Sequence, residues 1–592
     1  MSVPTGPTAP GDGDRQAAFA TTLVDEWARS GVTHAVVCPG SRSTPLSLAL
    51  AAEPRLELHI RLDERSAGFT ALGIGLATGR PAVVVVTSGT AAAELHAAVV
   101  EAALARAPML VCTADRPPEL RDVGAPQTID QTRLFGNSVR WFVDPGVPDD
   151  ASRPSWRSLA SRAFAEAVAG PTGPGPVHLN LPFREPLLGD AASGGVPDGR
   201  TGSTPWHQVI TGPVTPTAGM VPDLMTSAGL VPGSRGLIVA GAGCGDPKAV
   251  RRLAEALDWP VLADPRSGLR SPHALVICAA DGILRAPAFT AGHRPDAVLV
   301  LGERWASKVV NGFLGDSPRV VVDPSGGWPD PERSADRLVR CDPTLLCEEL
   351  AGTVAGGRVH IANGWASEWR DAEDRAQAAI DHALDDHAGW TEPALARRLI
   401  KGLPAGVRLF VSSSMPIRDV EAFGAPRTDP AQVFANRGAN GIDGVVSTAL
   451  GVARSLGPTV ALVGDLAFFH DVSALVGPQG QEAPLTIVVA DNGGGGIFSF
   501  LPPAASIEPT VFERLFGTPQ APDVAVVAAG FGWSVREVDE SSGPEAIGVA
   551  LERAMERNGR SVVRVRLPDR VANVAAHDLV NVAIVTAVDG AG

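Results

Sequence analysis

The chain has 592 residues, 45% of them hydrophobic, and a formal net charge of −15 at pH 7. This length and apolar content can bury several cores, and we expect three domains. The negative charge and the lack of a long basic run exclude a nucleic-acid-binding surface.

The cysteines and the N-terminus indicate the compartment. The six cysteines contain no CxxC pair, which predicts neither a zinc site nor a disulfide framework, so we expect reduced thiols. Residues 1–13 lack the basic and apolar regions of a signal peptide, and no run of about 18 apolar residues predicts a membrane span. We therefore expect a cytoplasmic protein with neither membrane nor nucleic acid as a partner.

The first third of the chain alternates short apolar runs with segments of helical spacing. This order predicts a parallel sheet with helical connections on its faces. The predicted elements are a helix over residues 15–30, strand 34–38, a helix from about Pro45, strand 82–86, a long Ala-rich helix ending near Arg106, and strands 109–113 and 177–181.

Two further α/β blocks follow a segment rich in Gly, Pro, Ser and Thr. That composition, over residues 188–234, predicts an interdomain connection. The remaining predicted elements are strands 236–240, 297–301 and 320–322 in the second block, strands 407–411, 460–463, 485–489 and 562–565 in the third, and a final helix over 570–588. The expected fold class is α/β, with three doubly wound parallel-sheet domains.

A glycine-rich segment follows the first strand of the second block. Gly241, Gly243 and Gly245 resemble a dinucleotide-binding fingerprint, but the third glycine comes one residue early and Asp246 occupies its place. A turn is the favoured interpretation, and a nucleotide-binding loop is the alternative.

Two apolar runs of the third block end in oxygen-bearing side chains. The first run leads into Gly464 and Asp465, and the second leads into Asn492 and a run of glycines that includes Gly494. The interval leaves room for one crossover that returns the second loop beside the first. A carboxylate, an amide oxygen and a freed glycine carbonyl suit Mg²⁺, and glycines let the backbone approach a phosphate. The sequence therefore predicts a magnesium and phosphate site at this sheet edge.

Either half of this pattern is typical of an ordinary turn, but together the halves resemble the metal-diphosphate motif of thiamine diphosphate enzymes. The resemblance implies thiamine diphosphate as the cofactor and Mg²⁺, with Mn²⁺ as an alternative ion. It implies that Asp465, Asn492 and the carbonyl of Gly494 hold the metal, and that Gly464 and Leu466 contact the cofactor.

Glu64 is the candidate catalytic residue. It lies in the tripeptide Asp63-Glu64-Arg65, which opens an apolar-periodic segment and puts Glu64 in or just before the first turn of a helix. Such a residue is by itself typical of a surface glutamate favoured by the helix dipole. Beside a thiamine diphosphate motif, the resemblance implies the carboxylate that contacts N1′ of the cofactor's aminopyrimidine.

Nine short segments resemble one family of these enzymes, the 2-succinyl-5-enolpyruvyl-6-hydroxy-3-cyclohexene-1-carboxylate synthases (MenD) of menaquinone biosynthesis. They are CPGSRSTPL (38–46), RLDERSAGF (61–69), TSGTA (87–91), ADRPPEL (114–120), SSSMPIRD (412–419), NRGANGIDG (436–444), GDLAFFHD (464–471), GGGIF (494–498) and FGTP (516–519). The resemblance implies a transferase that decarboxylates 2-oxoglutarate and adds the resulting succinyl carbanion equivalent to isochorismate. It implies a pyrimidine-binding domain (14–187), a linker (188–234), a central domain (235–355) and a diphosphate-binding domain (356–592).

Both substrates of this family are dicarboxylates, and arginine suits them because its planar guanidinium binds a carboxylate through two hydrogen bonds. The family's substrate positions correspond to Ser41, Arg42, Arg116, Gln127, Lys308, Ser414, Arg418 and Arg437. The resemblance further implies cofactor contacts from Ser88, Gly89 and Ile442, and pocket walls from Ile497 and Phe498.

The chain departs from the family pattern at two places. Pro126 precedes Gln127 where the family commonly has asparagine, and Asp491 adds a charge to the metal loop to which the sequence assigns no role.

Other functions remain as alternatives. One is a different thiamine diphosphate enzyme, such as a 2-oxoacid decarboxylase or an acetolactate synthase-like carboligase. Another is a catalytically silent binding protein, which the presence of Glu64, Asp465 and Asn492 disfavours. Because the glutamate and the metal motif meet across subunits in this superfamily, the resemblance implies a homodimer at least, with a homotetramer as a further possibility.

Overall fold

The structure is a computed structural model that describes residues 11–315, 317–356, 364–385, 389–478, 480, 482–556 and 559–590. These residues form three parallel sheets of six strands each, with helices between the strands. The expected α/β class with three sheets is therefore confirmed. All six cysteines are free and buried, as expected.

The first sheet has the strand order β2-β1-β3-β4-β6-β5. Its strands are β1 (His34–Val37), β2 (Glu57–Ile60), β3 (Ala82–Val86), β4 (Met109–Asp115), β5 (Trp141–Val143) and β6 (Pro176–Pro182). The four inner strands match the predicted ones, because their apolar runs are buried on both faces. The two edge strands, β2 and β5, were not predicted, since they are short and only partly buried.

The second sheet has the order β12-β11-β10-β7-β8-β9 and the third the order β14-β13-β15-β16-β18-β17. The strands of the second are β7 (Gly236–Ala240), β8 (Val261–Ala263), β9 (Val276–Ile277), β10 (Ala297–Leu301), β11 (Arg319–Val322) and β12 (Arg337–Val339). The strands of the third are β13 (Arg408–Val411), β14 (Val433–Phe434), β15 (Thr459–Gly464), β16 (Leu485–Asp491), β17 (Ser534–Val538) and β18 (Ser561–Arg566).

The helices connect these strands. In chain order they are α1 (Asp12–Ser30), α2 (Thr44–Ala52), α3 (Glu64–Thr78), α4 (Thr90–Glu94), α5 (His96–Leu104), α6 (Trp156–Ala169), α7 (Ala191–Gly194), α8 (Met220–Ser227), α9 (Pro247–Leu257), α10 (Ala280–Ile283), α11 (Pro287–Gly292), α12 (Lys308–Leu314), α13 (Pro343–Gly356), α14 (Trp365–Asp385), α15 (Glu392–Gly402), α16 (Met415–Phe423), α17 (Val445–Leu456), α18 (Asp465–His470), α19 (Pro503–Ser506), α20 (Pro509–Phe512), α21 (Val524–Gly530), α22 (Ala546–Met555) and α23 (Arg570–Asp589).

Two sequence-based interpretations can be compared with these elements. The single long helix predicted to end near Arg106 is wrong, because the chain forms α4 and α5 with Leu95 between them. There the N–H of Leu95 bonds back to the carbonyl of Ala92, three residues earlier, which tightens the turn. The glycine-rich segment after β7 forms a turn that ends at Asp246, whose side chain caps α9.

The chain divides into two compact units. The first comprises the described residues up to Thr211 together with 436–457 and 470–484, and the second comprises 212–435, 458–469 and the described residues from Leu485 on. The first unit thus holds the first sheet, and the second unit holds the other two.

A close helix crossing organises the first unit. A Cβ atom on Gly73 of α3 would lie 2.1 Å from the carbonyl oxygen of Thr448 on α17, and one on Gly451 would lie 2.1 Å from the carbonyl oxygen of Thr70. The two helices therefore touch through their backbones, an approach that only glycine allows. The crossing holds α3, the helix whose first residue is Glu64.

The last helix, α23, is the one helix among the described residues that is long and apolar enough to cross a membrane by length and composition. Its Val580, Ile584 and Val588 lie in the same buried cluster as Trp369 of α14. Packing on α14 accounts for that apolar face.

Candidate active site

The predicted site residues fall into two sets, one in each compact unit. The first unit contains Ser41, Arg42, Glu64, Ser88, Gly89, Arg116, Gln127, Arg437 and Ile442. The second contains Lys308, Ser414, Arg418, Gly464, Asp465, Leu466, Asn492, Gly494, Ile497 and Phe498.

Glu64 is the first residue of α3. The side chain of the preceding Asp63 caps the helix by accepting a hydrogen bond from the N–H of Ser66 at 3.1 Å. Glu64 is half-buried, and burial raises the pKa of its carboxyl, with the charges of Asp63 and Glu94 adding to the effect. A carboxyl whose pKa is raised is suited to share a proton with a ring nitrogen.

Three predicted residues of the first unit form one hydrogen-bonded cluster. The hydroxyl of Ser88 donates to the backbone carbonyl of Gln127 at 3.0 Å, and the side-chain amide of Gln127 donates to the carbonyl of Ser88 at 3.1 Å. Arg116 donates to the hydroxyl of Ser88. Gln127 has a φ of 55° and is exposed, so the residue after Pro126 still reaches the loop that carries Ser88.

Arg42 lies near this cluster. It is buried, donates to the carbonyl of Phe183 at 2.9 Å and pairs with Glu185 at 3.2 Å. Its Nε is buried without a hydrogen-bond partner in the described part of the chain. Burial lowers the pKa of Arg116, and the positive charge of Arg42 lowers it further, which shows that the two guanidinium groups are close. Two adjacent guanidinium groups with an unused N–H suit an anion with more than one carboxylate.

The loop before α17 carries Arg437 and Ile442, and a buried glutamate holds it. Glu101 of α5 accepts hydrogen bonds from the N–H groups of Gly438 at 2.7 Å and Ala439 at 2.6 Å. Burial raises the pKa of Glu101, and these backbone bonds oppose the rise. The sequence did not indicate this contact, since its partners lie more than 300 residues apart in the chain.

In the second unit, Asp465 and Asn492 follow neighbouring strands. Strands β15 and β16 pair in parallel, with Gly464 opposite Ala490, so both side chains lie at the carboxyl edge of the third sheet. Asp465 is 3% exposed. Its carboxylate accepts a hydrogen bond from the backbone N–H of Leu466 at 2.8 Å, and burial raises its pKa to about 7.

The glycine loop after β16 is shaped by close contacts. Gly494 has a φ of 140°, and a Cβ atom there would lie 2.1 Å from the carbonyl oxygen of Gly517. The N–H of Gly495 donates to that same carbonyl at 2.8 Å. Arg570, at the start of α23, donates to the carbonyl of Gly493 and to Glu513. Only glycine fits at position 494, as the resemblance implied for a metal loop.

Asp491 has a structural partner. Its carboxylate accepts a hydrogen bond from Nε of Arg564 at 2.6 Å, and the same guanidinium pairs with Asp523 at 2.7 Å. The additional charge in this loop, to which the sequence assigned no role, is therefore paired with Arg564 of β18, and, in addition to burial, it still raises the pKa of Asp465.

A buried cluster of ionisable residues supports Asn492, and the sequence did not reveal it. The amide nitrogen of Asn492 donates to Glu392 at 2.6 Å, and its amide oxygen accepts from the N–H of Gly494 at 3.2 Å. Behind Glu392, His577 bonds to Asp419 at 2.8 Å. Burial raises the pKa of Glu392 to about 7, with the charge of Asp419 adding to the rise.

The other predicted residues of the second unit occupy separate places. Ser414 precedes α16 with a φ of 78°, and Arg418 on that helix donates to its carbonyl. Ile497 and Phe498 lie in a short turn after the glycine loop, where Phe498 packs on Phe516 with ring centroids 5.4 Å apart. Lys308 is exposed at the first residue of α12.

The chemistry of the donor set fits a divalent metal. Asp465 offers a buried carboxylate whose desolvation a cation would offset, and Asn492 offers an amide oxygen whose direction Glu392 sets. Oxygen donors of this kind are what Mg²⁺ prefers, and it keeps further positions for water and phosphate. The glycine loop gives a phosphate close access to the backbone.

Three family models match the chain. They are the N-terminal thiamine pyrophosphate-binding domain over residues 18–134, the middle domain of thiamine pyrophosphate enzymes over 222–411, and the C-terminal thiamine pyrophosphate-binding domain over 420–565. Each of the three sheets thus lies largely within one matched region.

Several curated proteins are similar over most of their length. The 2-succinyl-5-enolpyruvyl-6-hydroxy-3-cyclohexene-1-carboxylate synthase of Chloroflexus aurantiacus is 45% identical over 86% of this chain and 87% of its own. The enzyme of that name from Bacillus velezensis is 40% identical over 96% and 97%. The one from Saccharopolyspora erythraea is 42% identical over 97% and 99%.

Proposed function

The chain belongs to the family of 2-succinyl-5-enolpyruvyl-6-hydroxy-3-cyclohexene-1-carboxylate synthases, and we propose that it joins 2-oxoglutarate to isochorismate with loss of CO₂. The product would be the compound for which the family is named, an intermediate of menaquinone biosynthesis. The enzyme is a thiamine diphosphate-dependent transferase, and we propose that Mg²⁺ anchors the cofactor, with Mn²⁺ able to substitute.

The observation that carries the proposal is the pair of adjacent strand ends in the third sheet. Asp465 and Asn492 place a buried carboxylate and an oriented amide oxygen at one sheet edge, followed by a glycine loop. We propose that these two side chains and the carbonyl of Gly494 bind the metal, while Gly464 and Leu466 contact the diphosphate. Thiamine diphosphate, when bound, supplies the carbon nucleophile of the reaction.

Glu64 is the proposed proton-handling residue. Its half-buried carboxyl, with a pKa raised by burial, can hold or accept a proton at a nitrogen of the cofactor's aminopyrimidine. Ser88, Gly89 and Ile442 are the proposed further contacts to the cofactor. The N–H of Gly89 already donates to the side chain of Gln131 at 2.9 Å, which fixes the loop that follows β3.

The clustered arginines support anionic substrates. Arg42 and Arg116 bring two positive charges together in the first unit, where Ser88 and Gln127 add polar groups. A carboxylate held by two guanidinium groups is oriented as well as bound, because each guanidinium offers N–H donors in a fixed plane. We propose substrate contacts from these residues and from Ser41, Lys308, Ser414, Arg418 and Arg437, with Ile497 and Phe498 as apolar walls.

The domain assignments and the assembly are further parts of the proposal. We assign pyrimidine binding to residues 14–187, the linker to 188–234, the central domain to 235–355 and diphosphate binding to 356–592. We propose a cytoplasmic homodimer or homotetramer in which Glu64 of one subunit serves the metal loop of another. The size of the particle in solution, measured by light scattering, tests the assembly separately from the reaction.

The reaction is tested by incubating the enzyme, thiamine diphosphate and Mg²⁺ with 2-oxoglutarate and isochorismate and identifying the products by mass. The proposal expects CO₂ and the named carboxylate, and neither from the Asp465→Ala variant. Succinate semialdehyde as the only organic product, whether or not isochorismate is present, would identify a simple decarboxylase. Acetolactate from pyruvate would identify the acetolactate synthase-like alternative.

A further inference from the structure

A cluster of two histidines and a glutamate lies at the edge of the first sheet, outside the proposed active site. His34 begins β1, and Glu57 and His59 belong to the edge strand β2. In the parallel register, His34 pairs with Glu57 and Val36 pairs with His59. Because alternate residues of a strand point to the same face, Glu57 and His59 project to one side of the sheet.

The side chains of this cluster converge. Nδ1 of His34 lies 3.8 Å from one oxygen of Glu57, and Nδ1 of His59 lies 3.7 Å from the other. Nδ1 of His34 and Nε2 of His59 form a 3.2 Å hydrogen bond, which coordination of a cation by Nδ1 of His34 would replace. One ligand atom from each residue falls within 4.8 Å of the other two. A tetrahedral zinc ion holds nitrogen ligands at about 2.0 to 2.1 Å, which puts its ligand atoms roughly 3.3 Å from one another.

The buried histidine has an unused nitrogen. His59 is 3% exposed, and its Nδ1, which faces Glu57, has no hydrogen-bond partner in the described part of the chain. A buried polar atom without a partner carries a desolvation cost that a ligand would remove. Glu57 is 53% exposed, so an ion from solvent can reach the cluster.

We propose that His34, Glu57 and His59 form a second cation site, specific for an imidazole-preferring divalent ion such as Zn²⁺ or Co²⁺. Two imidazole nitrogens and one carboxylate oxygen favour such an ion over Mg²⁺, which prefers oxygen ligands throughout. Water completes the coordination. The bound ion joins the edge strand β2 to its neighbour β1, and it therefore stabilises the edge of the first sheet.

Arg61 and Arg454 are positive charges near the cluster, and both oppose the ion. Arg454 lies 3.8 Å from an oxygen of Glu57, and it competes with a cation for that carboxylate. The site therefore binds more weakly than it would without this guanidinium. The opposing charge gives the proposal a directional test, because removing Arg454 must tighten metal binding, whereas removing a ligand must weaken it.

The enzyme is first treated with chelating resin, then saturated with thiamine diphosphate and Mg²⁺, and the resulting holoenzyme is titrated with Co²⁺. Bound cobalt is counted by equilibrium dialysis with metal analysis, and its visible absorption reports nitrogen ligation. We expect one bound cobalt ion per chain in addition to any at the proposed magnesium site. Zn²⁺ should displace this ion, and the protein with bound metal should have a higher thermal midpoint than the protein without it. The Asp465→Ala variant should bind the same additional cobalt, which separates this site from the active site. Failure of one proposal therefore does not decide the other.

Four variants decide the outcome. Loss of a residue that only supports a metal ligand typically weakens metal binding by roughly 10- to 100-fold. His59→Ala and His34→Gln each remove a ligand itself, so each should weaken cobalt binding by more than that. Arg454→Gln should tighten it several-fold. His273→Gln is the matched control, because His273 also contacts a glutamate, Glu255 at 3.2 Å, without a second histidine.

His59 is buried, so His59→Ala could prevent folding. His34 is only half-buried, and His34→Gln keeps the test valid in that case. The proposal is overturned if the wild-type holoenzyme binds no additional cobalt. It is equally overturned if folded His34→Gln retains full affinity, or if Arg454→Gln binds cobalt no better than the wild type.

Discussion

The amide nitrogen of Asn492 donates to the carboxylate of Glu392 at 2.6 Å, and this contact decides which end of the amide faces the glycine loop. In its ionised form the carboxylate of Glu392 accepts hydrogen bonds and donates none, so the amide nitrogen faces Glu392 and the amide oxygen faces Gly494. Glu392 thereby presents the oxygen that the proposed metal would use. The two residues lie 100 positions apart in the chain.

The first prediction is that Glu392→Gln weakens Mg²⁺ binding by roughly 10- to 100-fold, as loss of an outer partner of a metal ligand typically does. Glutamine can offer its own amide nitrogen and lets the Asn492 amide turn over. Calorimetric titration of the cofactor at a series of Mg²⁺ concentrations measures the effect. Glu373→Gln is the matched control, since Glu373 is a buried glutamate that accepts from the N–H of Ala279. Equal Mg²⁺ dependence in wild type and Glu392→Gln would contradict the role.

The second prediction concerns Glu64. Glu64→Gln should still bind thiamine diphosphate but lower turnover by about 10² to 10⁴, the usual contribution of a proton-transfer group. The amide has the size of the carboxyl but cannot exchange a proton with the aminopyrimidine. Hydrogen–deuterium exchange at C2 of the bound cofactor is the measurement. Glu94→Gln, an exposed neighbour whose charge also acts on Glu64, is the control. Exchange as fast as in the wild type would remove Glu64 from the mechanism.

The third prediction concerns the loop of residues 436–444. Glu101→Gln places an N–H₂ group against backbone N–H donors. It should lower the free energy of unfolding by about 1.5 to 3 kcal/mol, the range for hydrogen bonds to a charged group. We expect a lower thermal midpoint and a raised KM for the substrate that Arg437 contacts. Differential scanning calorimetry and steady-state kinetics measure the two effects. Glu166→Gln, which removes a surface contact with Arg162, should change neither. An unchanged KM would show that Glu101 has a purely structural role.

The apolar runs explain why so much of the fold could be predicted. Strands such as β3 are buried along their whole length and consist of continuous apolar runs, whereas the edge strand β2 has mixed polarity and the edge strand β5 is only three residues long and partly buried. The motif residues Asp465 and Asn492 were also predictable, because each follows a strand directly. Strands β15 and β16 pair with each other, which confirms that the two residues lie at the same edge of the sheet.

The supporting contacts could not be predicted, since they join residues that are distant in the chain. Glu101 and Glu392 resemble ordinary helical glutamates in the sequence, and only the fold brings their carboxylates to the loops they hold. The partner of Asp491 is likewise an arginine on another strand. The placement of α17 in the first unit also depends on tertiary packing through Gly73 and Gly451.

The fourth prediction is a pH dependence that arises from His577. Burial lowers the pKa of this imidazole, but the carboxylates of Asp419, at 2.8 Å, and Glu392, at 3.9 Å, outweigh that effect and raise it to about 9. Because the folded pKa lies above the unfolded value of about 6.5, the stabilisation is fully present below pH 6.5 and is lost as the pH rises through 9. The free energy of unfolding that is lost in this way amounts to about 3 kcal/mol at most.

The measurement is the thermal midpoint between pH 7 and 10. The midpoint of the wild type should fall more steeply than that of the double variant His577→Gln, Asp419→Asn, which removes the imidazole together with the carboxylate that raises its pKa. Parallel curves for the two proteins would show that His577 does not carry the charge.

The last prediction separates the arginines by the substrate that each serves. Decarboxylation needs only 2-oxoglutarate, whereas the complete reaction also needs isochorismate, so a residue that holds only the second substrate leaves CO₂ release intact. Arg42 and Arg116 lie together in the first unit, apart in sequence from the loop that carries Arg437 and Ile442. We expect Arg42→Ala and Arg116→Ala to impair the isochorismate step more, and Arg437→Ala to impair the oxoacid step more.

Loss of a charge-assisted contact worth about 1.5 to 3 kcal/mol should lower the rate of the affected step by roughly 10- to 150-fold. Single-turnover CO₂ release with 2-oxoglutarate alone measures the first step, and product formation with both substrates measures the complete reaction. Arg184→Ala is the control, because Arg184 forms a surface ion pair with Glu119. If Arg42→Ala and Arg116→Ala slow CO₂ release as much as product formation, the partition is wrong. If none of the three substitutions matters, the anion-binding role of these arginines fails, and with it the proposed pair of dicarboxylate substrates.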